Sequence, residues 1–480
     1  MDPFLPAWRI AELTRAGDIG CLEVLDFYLD RTTRLDPRIN AVILRDADRA
    51  RARARALDST NRTEGGPLFG VPMTVKESFD LAGHPTTWGY SSRRDHRAAE
   101  DALAVRRLEA EGAVVFGKTN VPVALADWQS FNPIYGTTCN PWNVDHTPGG
   151  SSGGGAAALA AGLTGLEMGS DIGGSIRVPA HYCGVFGHKS SWGLCAPRGH
   201  SLFPSTGAIP DISVIGPLAR SATDLRHVLH AIGKLDPLDT SASLQIPQPR
   251  ARHAADLRVA VWSAEAGQPT TAASREAVET AARFLQSQGA HVSYGARPAF
   301  DPRAAYRVYV EVLDAALSGR ITEKALAQKR LGLASLDPDD MSADAIMLRC
   351  TDMTHRDWLG LNERRSKLRR IWQAFFQDWD VLLCPVMTTA ALPHRQDGEI
   401  WERSITVDGT EMAYNDMLFW PGIVGGFHLP ATVAPVTVSP EGLPLGVQIV
   451  GPLHGDLTTI AVAEMLEHGL RPFVAPPGWA

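Results

Sequence analysis

The chain has 480 residues, 44% of them hydrophobic and 21% charged, with a formal net charge of −7 at pH 7. That is globular composition with enough apolar material for a large core, and it excludes a disordered chain. With no basic excess, nucleic acid and anionic membrane surfaces are not expected partners.

In chain order, Met1-Asp2-Pro3-Phe4-Leu5-Pro6 lacks the apolar run of a secretory signal. Asp18 opens a helical period carrying Ile19, Leu22, Leu25 and Leu29 on one face, and Asp46 to Leu57 predicts a second helix. Its arginines, Arg49, Arg51, Arg53 and Arg55, fit a solvated face. From about Gly65 short apolar runs alternate with amphipathic helices. Strands are predicted at 71–75, 114–116, 166–168, 257–261, near 292, and at 381–383, 431–436 and 444–451. Helices are predicted at 100–112, 155–162, 274–288, 355–379 and 457–468. This alternation predicts an α/β layer fold around a mostly parallel or mixed sheet. Residues 234–252 resemble a linker, and 302–349 are helix-rich enough to form a lid. No run of about 18 apolar residues predicts a membrane span. The six cysteines, Cys21, Cys139, Cys183, Cys195, Cys350 and Cys384, form no C-x-x-C pair. A reduced, cytoplasmic enzyme without a zinc site is therefore expected.

Three motif matches mislead. Gly112 to Thr119 fits G-x-x-x-x-G-K-T, but its middle residues, Ala113-Val114-Val115-Phe116, form a strand pattern and not a phosphate cradle. Gly153 to Ala158 fits a loose dinucleotide pattern with no strand before it. Gly149-x-Ser151-x-Gly153 and Gly150-x-Ser152-x-Gly154 fit the nucleophile elbow G-x-S-x-G. An elbow needs a preceding apolar strand, whereas Asn140-Pro141-Trp142-Asn143 and Pro148 predict a loop. That rival would take its base from His394, His428 or His454.

The densest signal runs from Thr147 to Trp192. Glycines surround Ser151 and Ser152, then Ser170 and Ser175. Such segments let backbone approach a substrate and point N–H groups at an anion, the making of an oxyanion hole. Together with Gly70 to Glu77, Gly117 to Pro122, Cys183 to Lys189 and Gly442 to Pro452, they resemble the amidase signature family of serine hydrolases. The resemblance implies one domain over residues 1–480, with N-terminal helices at about 1–64 and a helix-rich cap at about 300–400. It also implies a large twisted mixed β-sheet covered on both faces by helices. Carried over residue by residue, it implies Ser175 as nucleophile, Ser151 as a bridging serine after a cis peptide, and Lys76 as base. Ile172, Gly173, Gly174 and Ser175 would form the oxyanion hole, braced by Ser152, Ser170, Asp171 and Arg177. A lysine ending an apolar strand can be buried, and burial lowers its pKa toward a neutral base.

The chemistry implied is hydrolysis of small-molecule amides, with esters and carbamates sharing the attacked carbonyl. No metal or organic cofactor is needed, and a monomer or homodimer is expected. An alternative on the same fold is the glutaminase subunit of a tRNA-dependent amidotransferase. The segment Gly187-His188-Lys189-Ser190 departs from the family's usual Gly-Leu-Lys-Pro, and packing explains His188 more simply than a place in the site. Trp128, Phe131, Tyr135, Trp192, Phe203, Trp401, Phe419, Trp420 and Ile423 are the expected rim of an apolar or aryl pocket.

Overall fold

The computed structural model describes residues 1–202, 208–240, 242–319 and 321–479; Phe203 lies outside them. Its centre is a mixed sheet of 11 strands. In chain order these are β1 (Val42–Arg45), β2 (Pro72–Lys76), β3 (Val114–Thr119), β4 (Leu166–Asp171), β5 (Phe186–Lys189) and β6 (Val214–Ala219). They continue with β7 (Arg258–Val261), β8 (His291–Ser293), β9 (Val381–Pro385), β10 (Ala431–Val438) and β11 (Pro444–Val450). The spatial order is β1-β3-β2-β4-β6-β5-β10-β11-β9-β7-β8. β3, β2 and β4 are parallel, as are β9, β7 and β8, and the remaining pairs are antiparallel.

Among the described residues, fourteen α-helices flank the sheet. They are α1 (Ala7–Ala16), α2 (Cys21–Leu35), α3 (Ala47–Asp58), α4 (Leu103–Ala110), α5 (Gly153–Ala160), α6 (Arg177–Cys183) and α7 (Ala222–Ile232). The rest are α8 (Ala272–Ser287), α9 (Pro302–Ser318), α10 (Glu323–Ala334), α11 (Ala343–Arg349), α12 (His355–Asp378), α13 (Phe419–Gly425) and α14 (Asp456–Gly469). α4 and α5 are the crossovers that a parallel β2–β3–β4 unit requires. β2, β3 and β4 are buried along their whole length, as expected for parallel strands covered on both faces. Among the described residues, no helix is long and apolar enough to cross a membrane.

Several local expectations change for tertiary reasons. The helix expected from Asp18 begins at Cys21, because the Asp58 carboxylate of α3 accepts the N–H groups of Cys21 and Leu22 at 2.8 and 3.0 Å. The α3 arginines are not merely solvated. Arg49 forks onto Asp101 at 3.0 and 2.7 Å, and Arg51 binds Asp26 at 2.7 Å, which ties α3 to its neighbours. β5 and β6 were not expected: β5 is a four-residue strand carrying Gly187, His188 and Lys189, and β6 contains Gly216-Pro217. Residues 242–252 hold no helix or strand, yet Ile246 and Ala251 are buried against the core. The helix-rich segment divides. α9 buries Tyr306 and Val308 to Asp314, while α10 buries no residue.

Candidate active site

Lys76 is the last residue of β2, held between β3 and β4 by parallel pairing. Its side chain is fully buried, and Nζ donates to Ser151 Oγ at 2.7 Å and to Ser170 Oγ at 3.0 Å. Burial pushes its pKa down to about 7, against opposing pulls from Asp171 and Glu167. Glu167 was not expected at the site, although an acid inside the apolar run Leu166-Glu167-Met168 was the available signal. Burial pushes its carboxyl up to about 8, and it accepts from Thr74 Oγ1 of β2 and from Thr119 Oγ1 of β3, the latter at 2.7 Å.

Ser151 follows a cis Gly150–Ser151 peptide, in a loop that leads into α5. A Cβ on Gly150 would stand 2.2 Å from the Asp127 carbonyl oxygen, so this close approach requires glycine. Ser130, also unforeseen, braces the loop: its Oγ donates to Gly149 O at 3.0 Å and accepts from Gly153 N at 3.2 Å. Ser152 joins the two serine loops, since its N–H donates to Ser175 O at 3.1 Å and its Oγ donates to Ser170 O at 3.4 Å. Residues 141–150 form turns and bends before Ser151, so the strand of a nucleophile elbow is absent there.

Ser175 stands in the turn between β4 and α6. Asp171 organises that turn. Its carboxylate accepts from Gly174 N at 3.0 Å, Ile176 N at 3.1 Å, and the Arg177 guanidinium at 2.8 and 3.0 Å. Both side chains are fully buried, and the paired guanidinium outweighs burial, holding the Asp171 carboxyl well below the usual carboxylate range. Arg177 also reaches Pro421 O at 2.9 Å and Gln448 Oε1 at 2.6 Å, which fastens the turn to α13 and β11. The Gly174 N–H, expected among the oxyanion donors, donates to Asp171 Oδ1 at 3.0 Å. The N–H groups of Ile172, Gly173 and Ser175 have no partner among the described residues. The carbonyls on the other side are held, with Gly173 O accepting from Trp128 Nε1 at 3.0 Å and Ile172 O from the Tyr309 hydroxyl at 3.3 Å.

Ser151, Ser170, Ile172, Gly173 and Ser175 line one end of a cavity of about 910 Å³. Trp128 and Trp401 line it too, as does Leu418. Among the described residues, the other aromatic rim candidates do not. Phe419 and Trp420 pack edge-on against Trp262, Trp420 Nε1 donates to Thr270 Oγ1 at 2.9 Å, and Ile423 is fully buried on the same helix. That face of α13 belongs to the core. Trp192 stacks on His428 at 4.4 Å and donates to Pro210 O. Phe131 and Tyr135 lie on a small hairpin that Asn132 pins at Asn120 and at the N–H of Tyr135. Trp88, His200 and Leu313 take up wall positions that the sequence did not suggest.

The histidines of the rival triad are elsewhere. His394 contacts Val144 O, His428 contacts Asp211, and neither these nor His454 line the cavity. His188 is packed, with its ring between Thr432 Oγ1 at 2.9 Å and Asp456 Oδ1 at 3.1 Å.

Residues 23–460 match the family model described as Amidase. The chain is 31% identical to an indoleacetamide hydrolase of Bradyrhizobium diazoefficiens, over 96% of this chain and 86% of that protein. It is 30% identical to one chain of the glutamyl-tRNA(Gln) amidotransferase of Lysinibacillus sphaericus, over 94% of each. Among solved structures, it superposes with a TM-score of 0.81 and 30% identity on a chain from a complex that reveals the evolutionary origins of an s-triazine catabolic enzyme. That match covers 98% of this chain and 100% of the other.

Proposed function

Because the chain belongs to the amidase signature family and acts on amide C–N bonds, we propose that it cleaves small amides with an apolar or aryl body through an acyl-enzyme on Ser175. Neutral Lys76 takes the Ser151 proton while Ser151 takes that of Ser175. Ser175 Oγ then attacks the carbonyl, and the negative charge develops among the N–H groups of Ile172, Gly173 and Ser175. The proton returns through Ser151 to the leaving nitrogen, and water hydrolyses the acyl ester to regenerate Ser175. Aryl esters and carbamates present the same carbonyl and enter the same steps.

The observation that carries this reading is the buried Lys76 Nζ at 2.7 Å from Ser151 Oγ, at the end of a cavity that Ser175 shares. The cavity's largely apolar wall, with Trp128, Leu313, Leu317, Met347 and Leu348, favours an apolar body over glutamine. The test is a hydrolysis screen over amides, anilides, aryl esters and carbamates, with peptide mapping after fluorophosphonate treatment. The expected result is cleavage of aryl or apolar amides and a label on Ser175. A label on Ser151 or Ser152 alone overturns the assignment. The similarity to the amidotransferase chain keeps one other reading in the test: ammonia release from glutamine, with co-purification of a second protein, would favour the glutaminase role.

A further inference from the structure

The helical wall of the cavity carries one polar corner that the proposed steps do not use. Asp344, in the first turn of α11, lines the cavity beside Leu348 and Met347. Its carboxylate accepts from Asn415 Nδ2 at 2.7 Å and pairs with no lysine or arginine among the described residues. The cation nearby on the same wall, Lys329, is already paired with Asp314 at 2.7 Å. Asn415 also lines the cavity and is only 7% exposed. One N–H of its Nδ2 goes to Asp344, and its Oδ1 has no donor among the described residues. The corner therefore offers the cavity two acceptors, Asn415 Oδ1 and a half-buried carboxylate that Asp340 further repels, beside the second N–H of Asn415. A half-buried carboxylate with no cation beside it is costly until a donor arrives.

We propose that Asp344 and Asn415 form a subsite for a nitrogen that donates hydrogen bonds, a primary amine in its ammonium form, carried by the substrate away from its scissile carbonyl. This rests on the amidase reading above and adds the polar group to its apolar substrate. The ammonium donates to Asp344 and to Asn415 Oδ1, and the apolar wall takes the chain that links it to the carbonyl. A carboxylate in that place meets the like charge of Asp344 and is rejected.

The test uses p-nitroanilides of straight-chain acids of several lengths, each ending either in an ammonium or in a methyl group. At the best length the wild-type enzyme is expected to favour the ammonium end in kcat/KM by about tenfold or more, the effect of one charge-assisted hydrogen bond. Asp344→Asn, which keeps an acceptor for Asn415, should erase that ratio and leave the methyl-ended substrate within about threefold of wild type. Asp344→Lys should turn the preference toward carboxylate ends. Fluorophosphonate labelling of Ser175 at the wild-type rate certifies each variant as folded, because the probe carries no amine. An equal rate for both ends at every length, an unchanged ratio in Asp344→Asn, or labelling without cleavage of either series overturns the subsite and leaves the amidase assignment standing. Failure of both cleavage and Ser175 labelling in the wild-type enzyme overturns the amidase reading itself.

Discussion

The two walls of the cavity are built on opposite principles. On the sheet side, Lys76, Ser151, Ser170, Asp171, Ser175 and Arg177 are all buried, and hydrogen bonds from β2, β4, the loop before α5, and α6 hold them in place. On the helical side, α10 buries no residue, Leu331 is 74% exposed, and Trp401 is 55% exposed. α10 is tied down chiefly by the Lys329–Asp314 and Arg330–Asp352 pairs. The contrast teaches where each job resides. On the proposed reading, bond-breaking needs groups fixed to a fraction of an ångström and falls to the strands and the braced turn. Substrate choice then falls to the helical wall, where α10 offers side chains that can change at little cost to the fold.

The largest effects are expected on the sheet side. Ser175→Ala should lower amide turnover by about 10³-fold or more and abolish fluorophosphonate labelling, read by kcat and peptide mapping. Lys76→Ala should also remove most amide activity but hurt aryl esters less, because a good leaving group needs no returned proton. Lys76→Arg should not restore it, since a guanidinium cannot accept a proton. Near-normal amide turnover in Lys76→Ala, with a dead His394, His428 or His454 variant, would move the chemistry to a histidine triad.

Asp171→Asn is expected to cost about 3–5 kcal/mol of stability, because it strands the buried Arg177 guanidinium. Chemical denaturation measures it, and a loss under about 1 kcal/mol would show that the turn does not depend on the pair.

Lys76 couples the chemistry to stability through pH. Its pKa is about 7 in the folded chain against an ordinary 10.5. Between those values the unfolded chain holds a proton that the folded chain lacks, so this group makes stability rise with pH across that window. Below about 7 the folded protein carries a buried ammonium at full cost. Lys76→Met should therefore be inactive yet melt higher than wild type at about pH 6, with the advantage shrinking toward about pH 10. Amide turnover of the wild-type enzyme should climb through about pH 7. An advantage that does not vary with pH would show that Lys76 is not the titrating group.

The smallest effects belong to the helical wall. Leu331→Ala should change stability by no more than about 0.5 kcal/mol while raising KM for bulky amides more than for small ones. Limited proteolysis should cut within residues 321–342 before the sheet and leave the sheet intact. Two stable fragments split near residue 240 would instead argue against a single catalytic domain. A destabilised Leu331→Ala with unaltered KM would erase the distinction between the walls.

What could be foreseen divides along the same line. The serine-rich loops and the Lys76 strand were legible because their chemistry is local: glycines that permit an unusual backbone stand beside the reacting groups in sequence, and a lysine ending an apolar strand predicts its own burial. The aromatic rim was legible only at Trp128 and Trp401, for the complementary reason. Phe419, Trp420 and Ile423 carry the hydrophobicity of a core face and of a ligand wall equally well, and only the position of Trp262 on β7's outgoing loop decides that they face inward.

By itself, the sequence determined the α/β alternation and the order of most strands along the chain, which follow from hydrophobic period. The groups gathered around Lys76 were readable only through the family resemblance that their motifs carry. Tertiary structure alone decided that Asp58 starts α2, that Asp171 consumes the Gly174 N–H, that Glu167 lies buried between Thr74 and Thr119, and that Asp344 and Asn415 share a cavity with Ser175. Each of these joins elements distant in sequence or depends on how a turn closes. A hydrogen bond of that kind exists only once packing has brought donor and acceptor within about 3 Å, and no local pattern records it.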